Sequence, residues 1–165
     1  MARDILIVDD EADIRVLIGG VLRDEGFATR DAGESDGALE ALAMRRPSLV
    51  ILDIWLHNSR LDGMELLRAI KHEHPSVPVV MISGHGTIET AVSAIKLGAY
   101  DFIEKPFKAD RLVLVVQRAI EAARLREENA ELRLRVGPQT ELIGQSPAIV
   151  QLRQCIAKVA PTGSR

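Results

Sequence analysis

Four strand-like runs in this sequence each stop at a polar residue, and that repetition constrains the fold more than anything else in the chain. Asp9 and Asp10 follow Ile5-Leu6-Ile7-Val8, Asp53 follows Leu49-Val50-Ile51-Leu52, and Ser83 closes Val79-Val80-Met81-Ile82. Lys105-Pro106 follows Asp101-Phe102-Ile103-Glu104. Strands buried on both faces read as continuous apolar runs and belong to parallel sheets covered by helices. In open sheets of that kind, chemistry gathers outside the carboxyl ends of the strands. The expectation is one pocket holding three carboxylates, a hydroxyl and an ammonium, and such a pocket needs a cation.

The alternation of strand and helix repeats five times up to about residue 120, with strands expected near residues 4–8, 27–31, 49–53, 77–82 and 100–104. Between them lie apolar residues at spacings of three and four. The first helix carries Ile14, Leu17, Ile18, Val21 and Leu22 and stops at Gly26. The third opens on Asp62-Gly63-Met64-Glu65, a capping-box sequence, and the fourth runs from Thr87 to Leu97 and ends at Gly98. This pattern predicts an α/β fold, a (βα)5 doubly wound sheet of parallel strands with right-handed crossovers.

The fifth helix starts near Asp110 and meets no breaker before Gly137-Pro138. At 1.5 Å per residue that is about 40 Å, longer than a domain of this size can cover. Its distal half spaces Ala122, Leu125, Asn129, Leu132 and Val136 like a short coiled coil, with Asn129 at a register-setting core position. Two heptads also fit a solvated linker helix. The expected organisation is a domain over residues 1–122, a helical linker over 123–138 and, over 139–165, either a docked tail or the beginning of a further domain. About 28 residues are too few to bury a core of their own.

Composition narrows the function classes. The net charge of −3 gives no support for direct nucleic-acid binding by these 165 residues. No stretch reaches the roughly 18 apolar residues that span a bilayer, and Met1-Ala2-Arg3-Asp4 leads straight into a strand, so no secretory signal and no membrane association are expected. The single cysteine, Cys155, fits a cytoplasmic protein and reads as a small apolar residue on a helix.

Bringing Asp9, Asp10 and Asp53 together is unfavourable, because neighbouring carboxylates raise each other's pKa. A hard divalent cation relieves this, and carboxylate oxygens with retained water suit Mg2+. Glu11 is a fourth carboxylate, expected in the first helical turn, where it favours the dipole. One carboxylate can then act as a nucleophile towards phosphorus. Transfer of a phosphoryl group needs mainly positioning and charge neutralisation, which Lys105 and the Ser83 hydroxyl can supply. Pro106 is expected to fix the turn that aims Lys105. His57 and His85 read as surface residues, and His72 and His74 point in different directions.

Residues Ile5-Leu6-Ile7-Val8-Asp9-Asp10-Glu11, Leu52-Asp53, Asp62-Gly63, Ser83-Gly84 and Lys105-Pro106-Phe107 resemble the receiver domain of bacterial two-component response regulators over about residues 3–122. The resemblance implies the flavodoxin-like strand order 2-1-3-4-5. It also implies that Asp53 accepts a phosphoryl group from a sensor histidine kinase. Mg2+ would be bound by Asp10, Asp53 and the backbone carbonyl of Trp55, and by Asp9 through water. Ser83 and Lys105 would hold the phosphoryl oxygens, and Phe102 would be the switch aromatic. Dimerisation is implied through the face formed by the fourth helix, fifth strand and fifth helix.

The loop from Asp53 to Asp62-Gly63 is about two residues longer than is usual in the family and lacks its proline. With Trp55 and Ser59-Arg60-Leu61 it resembles the NtrX branch, regulators paired with the NtrY kinase in nitrogen and redox control. The tail, Leu142-Ile143-Gly144-Gln145-Ser146-Pro147 and Lys158-Val159-Ala160-Pro161-Thr162, resembles the entrance to the AAA+ domain of activators working with sigma-54 RNA polymerase. Contacts with polymerase and DNA would then lie in domains outside this sequence. Without a phosphate loop ending in Gly-Lys-Ser/Thr, no ATP hydrolysis is expected from it. A flavodoxin-like nucleotide or FMN binder shares the architecture, but Asp9-Asp10-Glu11 would repel its phosphate. An aspartate-nucleophile phosphatase would want an acid where Trp55 stands.

Overall fold

The computed structural model describes the backbone of residues 3–140 and the side chains of residues 3–136. The elements alternate throughout: β1 Asp4–Val8, α1 Ala12–Asp24, β2 Ala28–Ala32, α2 Ser35–Met44, β3 Leu49–Asp53, α3 Gly63–Glu73, β4 Val79–Ser83, α4 Ile88–Lys96, β5 Asp101–Glu104 and α5 Ala109–Thr140. The strands form one parallel five-stranded sheet in the order β2-β1-β3-β4-β5. Fold class and strand order are those expected. The chain divides into two units, Met1–Leu125 and Arg126–Arg165, with the division inside α5. The sheet and the site belong to the first.

Alternation along the central strands sorts their side chains onto two faces. Leu6, Val8, Val50, Leu52, Val79 and Met81 pack with Leu66, Leu67 and Ile70 of α3, Ala38 and Leu42 of α2 and Ala94 of α4. Ile5, Ile7, Leu49, Ile51, Val80 and Ile82 pack with Ile18 and Leu22 of α1 and Leu112, Val116 and Ala119 of α5. Both faces are covered, which is why these runs carry no polar residue until they end. That ending places each polar residue on one rim of the sheet.

Element boundaries follow local chemistry. Asp62 caps α3 with a complete capping box: its carboxylate accepts from Glu65 N at 2.8 Å and Glu65 accepts from Asp62 N at 2.9 Å. Thr87 caps α4, accepting from Thr90 N. Gly26 (φ 87°) and Gly98 (φ 106°) end α1 and α4 in the left-handed conformation that favours glycine. Phe27 N donates to Leu22 O, so Phe27 belongs to the turn closing α1, and β2 begins one residue later than expected. Pro78 has no N–H to offer a ladder, and β4 begins after it rather than at Val77. The backbone of α5 stays helical through Gly137-Pro138 to Thr140, past the expected stop, because a proline in the last turn removes only one of its bonds.

The expected start of a further domain at residues 139–165, like Cys155, lies outside the described residues apart from the last helical positions. Among the described residues no helix is long and apolar enough to cross a membrane.

Candidate functional site: an acidic pocket at the strand ends

Asp9, Asp53 and Ser83 are buried at 0%, 3% and 0% exposure, and all three lie on the carboxyl rim of adjacent strands. Lys105 reaches them from the end of β5. Its Nζ donates to Asp9 Oδ2 at 2.8 Å and Asp53 Oδ2 at 3.1 Å, and lies 3.5 Å from Glu11 Oε1. Lys105 N also donates to Ser83 O at 2.8 Å, so the backbone of β4 fixes the point from which this ammonium extends. The Lys105-Pro106 peptide is cis.

Asp9 Oδ1 accepts from Glu11 N at 2.9 Å, which turns the chain at the start of α1. Glu11 occupies the N-cap position rather than the first helical turn, because its backbone is still extended, and its carboxylate faces the cluster from that position. Ligand oxygens of Asp9, Asp10, Glu11 and Asp53 all lie within 4.8 Å of one another. Together with Trp55, His57, Gly84, His85 and Lys105, the residues Asp10, Glu11 and Asp53 line a cavity of about 370 Å3. The donor set fits a hard divalent cation: oxygen ligands, net negative, and open on one side to water.

Electrostatics set the groups apart. Burial, and then the neighbouring Asp9 charge, push the Asp53 carboxyl above its ordinary value despite the opposing Lys105 ammonium. Asp10 is held below the ordinary value: burial opposes ionisation, and the hydrogen bonds and charge of His57 outweigh it. Burial works against the Lys105 cation, but its hydrogen bond to Asp9 and the charges of Asp53 and Asp9 carry its pKa above the usual lysine range.

Two glycines let backbone or ring approach the site. A Cβ on Gly63 would lie 2.1 Å from the carbonyl oxygen of Asp53, so only glycine fits where Gly63 N donates to Ile54 O. A Cβ on Gly86 would lie 2.4 Å from Phe102 Cζ. Phe102 itself is half-buried on β5, next to Met81 in register. Ser83 Oγ accepts from His85 N at 3.2 Å.

The seven residues singled out in the sequence therefore fall into two groups. Asp9 and Asp53 are joined through Lys105, and an Asp10 oxygen lies within 4.8 Å of theirs, with Trp55 in the cavity wall and Ser83 at the end of the adjacent strand. Phe102 stands one strand away, against the loop that leaves Ser83. Sequence reasoning missed the part played by His57. It is exposed, as expected of a surface residue, yet its N and Nδ1 approach Asp10 Oδ2 at 3.2 and 2.8 Å. The signal that could have found it is the unusual length of its loop.

Residues 5–117 match the response regulator receiver domain. The chain is 62% identical over its whole length to the nitrogen assimilation regulatory protein NtrX of Azorhizobium caulinodans, of which it covers 36%. It thus spans about a third of the length of that relative. The crystal structure of the receiver domain of NtrX from Brucella abortus is similar to it, with 68% identity, a TM-score of 0.70, and 72% of this chain and 98% of that one covered. So is the solution structure of the beryllofluoride-activated NtrC4 receiver domain dimer, with 35% identity, a TM-score of 0.69, and coverage of 73% and 98%. With a matching profile over most of its length and the acidic rim in place, the chain belongs to the response regulator receiver domain family.

Proposed function

We propose that this receiver takes a phosphoryl group from a sensor histidine kinase of the NtrY type onto Asp53, in a Mg2+-dependent reaction, and passes the signal to the rest of an NtrX-like transcriptional activator. The observation that carries the reading is the Lys105 ammonium lying between Asp9 and Asp53, at 2.8 and 3.1 Å, beside a carboxylate set with too much negative charge for it. Asp10, Asp53 and the Trp55 carbonyl would hold Mg2+ directly and Asp9 through water. The cation would neutralise charge between the attacking carboxylate and the phosphoryl oxygens.

In the transfer, an Asp53 carboxylate oxygen forms a bond to phosphorus while the bond from phosphorus to the donor imidazole nitrogen breaks. The electron pair of that bond returns to the imidazole. Burial raises the Asp53 pKa, and the charge and hydrogen bond of Lys105 oppose that rise, favouring the carboxylate form that attacks. Lys105 and the Ser83 hydroxyl then hold the oxygens of the acyl phosphate. A Ser83 drawn towards the phosphoryl group moves the backbone that leads to Gly86, against which Phe102 packs, and this links the pocket to the α4–β5–α5 face.

Ile88, Val92 and Ile95 of α4 are exposed at 85%, 46% and 47%, and the similar NtrC4 receiver is a dimer when activated by beryllofluoride. Phosphorylation is accordingly proposed to promote dimerisation on this face. Leu125, Leu132 and Val136 of α5 are each about half exposed and would extend the contact along the linker. We assign residues 1–122 to the receiver, 123–138 to the linker and 139–165 to the beginning of the AAA+ domain, with polymerase and DNA contacts beyond this sequence and the whole protein cytoplasmic.

Intact mass after incubation with acetyl phosphate tests the chemistry. One phosphoryl mass should appear with Mg2+ and disappear when a chelator is present; equal gains under both conditions would contradict the proposal. Light scattering before and after phosphorylation, on the full chain and on one ending near residue 122, tests the dimer and the linker's share in it.

A further inference from the structure

The loop between β3 and α3 is tied down on both sides. Trp55 N donates to Asp53 Oδ1 at 3.3 Å, and Gly63 N to Ile54 O at 2.9 Å. On the other side the loop is fastened to the start of α2. Ser35 N donates to Ser59 Oγ at 2.8 Å, Leu61 N to Ser35 Oγ at 3.1 Å, and Arg60 Nε to Asp36 Oδ1 at 2.8 Å. Ser35 is fully buried, so its two bonds are sheltered from water, whereas the Arg60–Asp36 pair is exposed. At the crest Asn58 turns the chain with φ 55°, the only non-glycine positive φ among the described residues. The residue before that turn is His57.

His57 places two donors on one oxygen. Its backbone N and its Nδ1 lie 3.2 and 2.8 Å from Asp10 Oδ2, which leaves the other carboxylate oxygen, Oδ1, for a cation. We infer that His57 is a positioning residue for the divalent cation: it engages Asp10 Oδ2, fixes the plane of that carboxylate, and so presents Oδ1 to the acidic cavity. The inference rests on the reading of Asp10 as a cation ligand. A carboxylate that is itself hydrogen-bonded binds metal in a fixed geometry, and removing such an outer partner typically costs about tenfold or more in affinity. A loop fastened at Ser35 and Asp36 holds the histidine there in advance, so little ordering remains to be done when the ion arrives. The opposite role, a competitor that the ion must push aside, would require this fastened crest to move.

Trp55 is the only tryptophan and is half exposed beside the cavity, so its emission reports cation binding. Magnesium titrations of the full chain, followed by Trp55 emission and in parallel by thermal melting, compare wild type, His57→Phe and His57→Asn. Phe keeps a ring and removes the Nδ1 donor; Asn places an amide N–H close to where Nδ1 stood. The expected result is a Kd about tenfold weaker for His57→Phe and within about twofold of wild type for His57→Asn. An unchanged or tighter Kd for His57→Phe would overturn the inference, as would equal weakening in both variants, since a donor would then be irrelevant. A wild-type chain that shows no saturable response by either readout would instead remove the cation reading itself, and this inference with it.

Discussion

The two ends of β1 each bury an aspartate, and they treat it in opposite ways. At the amino end Asp4 meets two guanidinium groups: Arg30 donates to Oδ2 at 2.9 Å through Nε, and Arg45 lies 3.1 Å from Oδ1. Arg30 is itself fixed by the carbonyls of Ala41 and Arg45. At the carboxyl end Asp9 belongs to a group of four carboxyls that shares one ammonium, Lys105, and one imidazole, His57. Burial of a carboxylate alone therefore says little about function. The excess of negative charge is what separates the two ends, and it marks the end where we propose that a cation and a phosphoryl group bind.

The largest expected effect comes from removing the one ammonium. Lys105→Ala leaves Asp9 and Asp53 buried without a counter-charge and should cost about 3–5 kcal/mol in urea unfolding without divalent cation. Added Mg2+ should restore part of that loss, and coupling to dimerisation should be lost. A loss under about 1 kcal/mol would break the comparison, because Lys105 would then not be compensating the cluster.

At the other end, Asp4→Asn should cost less, about 1–2 kcal/mol, since Arg30 retains two carbonyl partners. Phosphorylation should be unaffected; a defect in it would mean that the two ends are coupled.

Asp53→Asn should have the reverse sign. Its carboxyl is raised above 3.8 in the folded protein, so the folded state favours the protonated form and ionisation is destabilising. That cost is absent well below pH 3.8 and grows as pH rises through the folded value. The variant should therefore melt higher than wild type at neutral pH without Mg2+, and the gain should vanish in acid. A variant that melts lower at neutral pH would show that Lys105 more than compensates Asp53.

The smallest effect belongs to Arg60→Ala. Both it and Asp36 are exposed, at 62% and 54%, and pairs of that kind contribute about 0–1 kcal/mol to stability. Urea unfolding should change by less than about 0.5 kcal/mol.

Most of the fold was legible because hydrophobic periodicity and capping chemistry agree in it. The uninterrupted runs Leu49-Val50-Ile51-Leu52 and Val79-Val80-Met81-Ile82 can be satisfied only by a sheet covered on both faces. Asp62-Gly63-Met64-Glu65 fixed the start of α3. Boundaries failed by a residue or two where a local bond decides, at Phe27 and Pro78, and at the far end of α5. Within the site, Asp9, Asp53, Ser83 and Lys105 were legible because each ends a strand, and the sheet brings strand ends together. Glu11 and His57 were not. Whether a side chain on a turn faces inward depends on backbone angles and on partners far along the chain, such as Ser35 and Asp36, that periodicity does not encode. The close approaches of Gly63 to Asp53 and of Gly86 to Phe102 are likewise tertiary facts.

The central claim is that the uncompensated end of β1 exists to phosphorylate Asp53. Wild type and Asp53→Asn, each incubated with acetyl phosphate and Mg2+ and compared by intact mass, test it most directly. A gain of one phosphoryl group in wild type and none in Asp53→Asn is the predicted result; equal gains in the two proteins would contradict it.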